Sequence, residues 1–155
     1  MGGQDEHASR TPEFRAGFSV LKEFTLTFDS WLYHTNLPDL IELARSDPEV
    51  TVVCDHVGFP IGVGPFRNTF KCPDGPGGEA GPTDDTLKVW RGLIAELAAL
   101  PNTCIKLSGL TMACCGFGWE KRKTPPTSEE LAVAMAPIYR YCLEQFGVDR
   151  CMFAS

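Results

Sequence analysis

The segment Val52-Val53-Cys54-Asp55-His56-Val57-Gly58-Phe59-Pro60 carries the most chemistry in this sequence. An apolar run ends in Asp-His and is then broken by Gly58 and Pro60, which sets an imidazole at the carboxyl end of a strand. Histidine, with a reference pKa near ~6.5, suits proton transfer, metal ligation or polarisation of a carbonyl. The competing reading is a structural histidine satisfied by a nearby carbonyl; the strand-end position favours the functional one. Strand alternation groups Val52, Cys54 and His56 on one face and Val53 and Asp55 on the other. No Asp55–His56 dyad is therefore expected, and Asp55 is read as fixing a loop or pairing with an outer helix.

Other groups of the right type stand at neighbouring strand ends. In Cys104-Ile105-Lys106-Leu107-Ser108, outward Ile105 and Leu107 would leave Lys106 and Ser108 pointing inward. A lysine there pairs with a carboxylate or loses its proton more readily; an internal ion pair is expected ahead of a catalytic amine. Tyr33 and His34, after Phe28-Asp29-Ser30-Trp31-Leu32, either orient a substrate oxygen or cap the next helix. Gly116-Phe117-Gly118-Trp119 reads as a loop that folds over a ligand, with Trp119 as a binding residue. The Lys121-Arg122-Lys123 cluster beyond it either attracts an anion or is simply solvated.

The elements that must position these groups alternate regularly. Strand-type runs occupy residues 24–28, 51–55, 104–108 and 151–154. Between them, Leu37, Leu40, Ile41 and Ala44 fall at one-face helical spacing, with Asn36 as N-cap and Pro38 in the first turn. Leu87, Trp90, Ile94 and Leu97 line a second helix, started by Thr83 or Asp84 and stopped by Pro101. Thr127-x-x-Glu130 is a capping box for a third, lined by Leu131, Met135, Ile138 and Cys142 and ended by Gly147, with Pro137 expected to kink or break it. The order β-α-β-α-β-α-β implies parallel strands with right-handed crossovers and outer helices. Helix-to-strand connections are short, whereas strand-to-helix loops run over residues 56–82 and 109–126. The Pro/Gly-rich residues 73–82 read as a mobile loop inside the domain. In parallel α/β folds the ligand side is the one with the long loops at strand carboxyl ends.

With 155 residues and a net charge of −6, the chain suits one domain and disfavours nucleic acid or an anionic membrane as partner. Residues 1–12 read as a disordered polar tail, residues 13–155 as the domain. No apolar run approaches the ~18 residues of a membrane span, no secretory leader is visible, and a cytoplasmic address is expected. Of 7 cysteines, Cys54, Cys104, Cys142 and Cys151 fit apolar positions as small hydrophobes; adjacent Cys114 and Cys115 lie in a loop, and no C-x-x-C pair suggests a thiolate metal site. A G-x-S-x-G elbow, a P-loop and a G-x-G-x-x-G run are all missing.

Four of these runs, in this order, carry a resemblance: Phe28-Asp29-Ser30-Trp31-Leu32-Tyr33-His34, Asp55-His56-Val57-Gly58, Ile105-Lys106-Leu107-Ser108-Gly109-Leu110 and Arg150-Cys151-Met152-Phe153-Ala154-Ser155. Over about residues 14–155 the chain resembles the amidohydrolase-related proteins of the amidohydrolase superfamily. More narrowly it resembles the branch of lactone hydrolases for sugar lactones and pyrone dicarboxylate. The resemblance implies an α/β fold, the C-terminal half of a TIM (β/α)8 barrel, about strands five to eight. It implies that His56, at the end of strand six, contacts the substrate carbonyl, or a metal where one is present. The superfamily's His-x-His pair on the first strand has no counterpart here, and the sequence ends at Ser155, where its aspartate would follow. His34-Thr35-Asn36 stands where similar sequences often read His-Pro-Gln. A divalent metal (zinc or manganese) in the full-length enzyme and metal-independent action both stay open. The expected function is ring-opening hydrolysis of a lactone or related carbonyl ester in the full-length form, with this chain alone impaired and a small-molecule carbonyl substrate as partner. The alternatives are a non-catalytic fragment forming a homo-oligomer through exposed barrel edges, and a metal-dependent decarboxylase of the same superfamily.

Overall fold

Thr11 opens the first helix, α1 (Pro12–Val20): its backbone is extended, its Oγ1 accepts from Phe14 N, and proline fills the first turn. The computed structural model describes residues 8–66 and 81–154. Residues 1–7 of the expected tail lie outside them, as do residues 67–80, which include most of the Pro/Gly-rich loop. Ala8–Arg10 forms a 3-10 turn, and the Arg10 guanidinium hydrogen-bonds the Asp39 carboxylate.

Helix α1 was not foreseen, and it displaces the first strand. After Val20 a 3-10 turn runs through Phe24, and Thr25 takes a left-handed conformation at φ 55°. Leu26 N then bonds Leu21 O and Thr25 N bonds Lys22 O, a helix-terminating Schellman pattern that consumes groups a strand would need. Residues 24–27 are therefore not strand, and β1 begins only at the last residue of the expected run, as Phe28–Ser30. Phe14 and Phe18 of α1 meet Phe28 edge-on at 5.9 and 5.4 Å.

The rest follows the alternation: α2 (Leu37–Ser46), β2 (Val52–Cys54), α3 (Asp84–Ala98), β3 (Thr103–Leu107), α4 (Ser128–Phe146) and β4 (Cys151–Phe153). The four strands pair in parallel in the order β1-β2-β3-β4. Register aligns Phe28 with Val52 and Thr103, and Ser30 with Cys54, Ile105 and Cys151; this face meets the helices, where Leu37, Val52, Cys54, Trp90, Ile94, Leu97 and Ile105 are sealed from solvent. Asp29, Val53 and Cys104 align on the other face, as do Lys106 and Met152.

Two local expectations are corrected. Asn36 makes no side-chain cap, because the chain enters α2 through a 3-10 turn, His34–Asn36. Pro137 does not interrupt α4, which is closed at its start by the Thr127–Glu130 capping box. Pro137 is on the solvent side, with Val133 four residues before it 79% exposed, so water can reach the carbonyl that the proline leaves unbonded. At the amino ends of the strands, Arg150 donates to the carbonyls of Phe146, Leu100, Thr103 and Ala98, and Asn102 to those of Ala44 and Val50. These bonds satisfy helix C-termini and tie the helix layer to the strand starts. No helix among the described residues is long and apolar enough to cross a membrane.

Candidate functional site

Alternation stops at Asp55. His56, Val57, Gly58 and Phe59 take φ of 51°, 53°, 64° and 26°, a left-handed run with three non-glycine members, one of them β-branched. L-residues avoid this region, and a valine there is strained. Three contacts hold the turn. Trp90 Nε1 of α3 donates to Val57 O at 2.7 Å, His34 N donates to Phe59 O at 3.0 Å, and Gly58 packs so closely on Leu37 that an added Cβ would lie 2.9 Å from Leu37 Cδ2.

This turn decides where the imidazole points. Pleat alternation alone puts His56 on the face of Val52 and Cys54, against the helices. Instead its Nδ1 lies 2.7 Å from Ser108 Oγ, just past β3, and its ring meets Phe59 edge-on at 5.1 Å. Gly109 completes the seat: a Cβ there would fall 2.5 Å from His56 Cβ and 2.8 Å from Nδ1. Backbone strain has swung the histidine to the carboxyl-end rim between β2 and β3. Only Gly58 marks the turn among the residue types here, and only the shared parity of Lys106 and Ser108 hints at the partnership with His56.

Asp55 is corrected. It meets neither a loop backbone nor an outer helix: its Oδ1 lies 2.8 Å from Lys106 Nζ, an ion pair outside hydrogen-bond alignment. Lys106 also donates to Asp29 Oδ2 at 2.5 Å, so one ammonium joins carboxylates from β1 and from the end of β2. Both carboxylates, Asp29 first, raise the Lys106 pKa above the ordinary lysine value. This is the internal ion pair expected; a protonated amine so held is no nucleophile.

His34 and Tyr33 have parted company. His34 is 3% exposed, and its Nδ1 accepts from Ile61 N at 3.2 Å, so the neutral ring carries its proton on Nε2. Burial lowers its pKa, with an opposing contribution from the Phe59 backbone. It supports the loop after β2. Tyr33 joins half-exposed Trp31 and buried Phe59 in an edge-to-face cluster with centroids 5.2 to 6.2 Å apart, and the same Phe59 touches His56. The result is an aromatic wall beside the imidazole. Trp119 belongs to another group, stacked on Phe117 at 4.7 Å and 9°. Phe117 in turn covers Gly81, and the two long loops interlock where Gly62 N meets Cys114 O and Gly81 N meets Gly116 O.

The thiols are quiet. The described cysteines are free, burial pushes the Cys54 pKa up to about 12, and burial likewise raises Cys115, Cys142 and Cys151. For a metal, no three His, Cys, Asp or Glu side chains converge among the described residues. Asp29 and Asp55 already share the Lys106 cation, which leaves His56 without carboxylate co-ligands on this rim. The described residues do not by themselves make a metal centre.

Against known proteins, a family profile described as Amidohydrolase matches residues 2–155. The chain belongs to the amidohydrolase family. The uncharacterized protein y4mH of Sinorhizobium fredii is 33% identical to this amidohydrolase-family chain over 151 residues, 97% of the chain and 40% of that protein. A zinc-bound amidohydrolase from Burkholderia multivorans superposes with a TM-score of 0.74 at 23% identity, over 99% of this chain and 45% of the other. Amidohydrolase 2 from Bifidobacterium longum subsp. infantis gives 0.55 at 24% identity, over 95% and 41%. At these identities the two structures speak to the fold alone: a parallel α/β array matching part of a TIM-barrel amidohydrolase. The chain spans less than half the length of these relatives.

Proposed function

We propose that this amidohydrolase-family chain is the C-terminal half of a TIM-barrel hydrolase that opens lactones or related carbonyl esters. His56 is the residue that polarises the carbonyl. The observation that supports this is its seat: a strained turn, anchored by Trp90 and His34, holds the imidazole on the carboxyl-end rim with Nδ1 on Ser108. Backbone strain held in a turn by surrounding bonds clusters at sites that must be preorganised. Nε2 is then the atom offered to a ligand, and Trp31, Tyr33 and Phe59 form a wall on which a small ring can lie.

In this reading water adds to the carbonyl carbon and its proton passes to a base outside the described residues, an aspartate by family resemblance. The carbonyl oxygen gains negative charge and takes a hydrogen bond from His56 Nε2. The ring C–O bond breaks, the proton reaches the departing alkoxide, and a hydroxy acid results. The zinc of the Burkholderia protein raises the question of a divalent ion here; His56 would then give Nε2 to the ion in place of the hydrogen bond, with further ligands from outside the described residues.

The test offers sugar lactones and pyrone lactones to the chain, and to a form extended to the length of its relatives. The extended form is expected to turn over a lactone, with His56→Ala about 10²- to 10³-fold slower in kcat, as for loss of a preorganised donor. The chain alone is expected to be weak or inactive, since general base and electrophile must converge. Unchanged turnover in His56→Ala would remove the assignment.

A further inference from the structure

We infer that Lys106 is a positioning residue: its side chain ties β1 and β2 to β3, so that the aromatic wall, the imidazole and its serine seat keep one arrangement. These groups come from three strands. Trp31 and Tyr33 follow β1, His56 follows β2 and Ser108 follows β3. The pairing of β1 with β2 ends at Ser30 and Cys54, and that of β2 with β3 at Cys54 and Ile105. At this level Lys106 joins all three strands. Parity puts Asp29, Asp55 and Lys106 on the face away from the helices. Nζ lies 2.5 Å from Asp29 Oδ2 and 2.8 Å from Asp55 Oδ1, and the other Asp29 oxygen takes the Thr27 hydroxyl. Adjacent strands lie about 4.8 Å apart, so a side chain from β3 must cross β2 to meet Asp29. A long cationic side chain can do so and serve Asp55 on the way.

Asp55 is the last residue before the backbone turns left-handed at His56. Trp90 and His34 hold the far side of that turn, at Val57 O and Phe59 O. Lys106 holds its near end. Without the ammonium, two carboxylate oxygens that both lie within 2.8 Å of one nitrogen would face each other and repel. Water screens them incompletely, since the Asp55 side chain is only 17% exposed. The strand ends would part, drawing Trp31 from Phe59 and His56 from Ser108. That the aligned groups serve a lactone rests on the function proposed above; the alignment does not.

The experiment is nuclear Overhauser spectroscopy of the folded chain. Cross-peaks from Phe59 to Trp31 report β1 against β2, and those from His56 to Ser108 report β2 against β3. Lys106→Met is expected to weaken both several-fold and Lys106→Arg to restore both, while the Phe117–Trp119 peaks stay in every variant. Arg122→Met is the control: it breaks a pair with Glu130 of similar exposure and should leave both cross-strand peaks unchanged. A brace that only adds stability would make Lys106→Met behave like that control. Asp29→Asn should weaken the first peak and Asp55→Asn the second, and these two variants decide the matter if Lys106→Met does not fold. Intact peaks in a folded Lys106→Met overturn the inference, as does an intact peak in either asparagine variant. In the form extended to the length of its relatives, Lys106→Met should lower kcat/KM by up to about 10²-fold, the cost of a misplacement of about 1 Å. Cross-peaks that behave as expected, with no lactone opened by the extended form, sink the hydrolase reading and leave the role of Lys106 standing.

Discussion

His34 has spent its accepting nitrogen on Ile61 N and sits 3% exposed, so protonation would break a bond and leave a charge that water cannot reach. Its folded pKa is lowered by this burial, below the ~6.5 of an unfolded histidine. The sign follows from linkage: as pH falls through ~6.5 the unfolded chain binds the proton first, so stability is full above that value and declines until the folded pKa is passed. Urea midpoints measured from pH 8 to pH 5 should fall accordingly. His34→Asn keeps an acceptor at the Nδ1 position but no titrating ring, and should flatten that slope; an equal slope in the variant would assign it to another group. Carboxylates act in a separate, more acid window. Asp47 is held low by the Lys22 hydrogen bond, and Glu130 by Thr127 N and then by Arg122. Their contributions are present above the ~4 of unfolded carboxylates and are lost as pH falls through the depressed folded values. His34 thus secures the loop after β2, whereas His56 rests on Ser108 just past β3.

Among the helices, α3 reaches the turn with a side-chain hydrogen bond. Trp90 packs fully buried in the helix layer, and its indole N–H ties the second residue of the left-handed turn. Trp90→Phe keeps most of the apolar bulk and removes that single donor, leaving Val57 O unsatisfied. The expected loss is about 1–3 kcal/mol of unfolding free energy, the range for orphaning a buried partner. The resonances of His56 should move more than those of His34, since the freed strain lies next to the former. A variant as stable as the parent, with His56 undisturbed, would mean the turn is held without α3. The helices were legible because their stripes are long: Leu87, Trp90, Ile94 and Leu97 admit one face only, and Thr127 with Glu130 fixes a start. Strand β1 was not, because Thr25 ends a helix in the left-handed region without the glycine that would announce it. The inward lysine was legible from the parity of Cys104 to Ser108. The direction of His56 was not, since three non-glycine residues with positive φ contradict every local propensity and persist only through tertiary bonds.

For the molecule as a whole, the governing feature is a parallel sheet with two free edges. β1 pairs only with β2 and β4 only with β3, so each carries a row of backbone groups with no neighbouring strand among the described residues. Beside the second edge, Phe153 is 85% and Met152 38% exposed, an apolar rim that a soluble monomer does not ordinarily leave uncovered. The relatives matched here are more than twice as long, and an eight-stranded barrel has no edges at all. Expressed as these 155 residues, the chain is therefore expected to associate with itself. Light scattering after size exclusion should give a mass above the 17.0 kDa of one chain, rising with concentration. Phe153→Glu, which places a charge on the exposed rim without touching the helix-side core, should shift the distribution back toward one chain while far-ultraviolet circular dichroism stays the same. Extension to the length of the relatives should do so too, by covering the edges within one polypeptide. A sharp 17.0 kDa species at every concentration would mean that these short edges are tolerated in water. The interaction-module alternative would then lose its physical basis, because an open sheet that does not attract its own copy offers little reason to attract another protein.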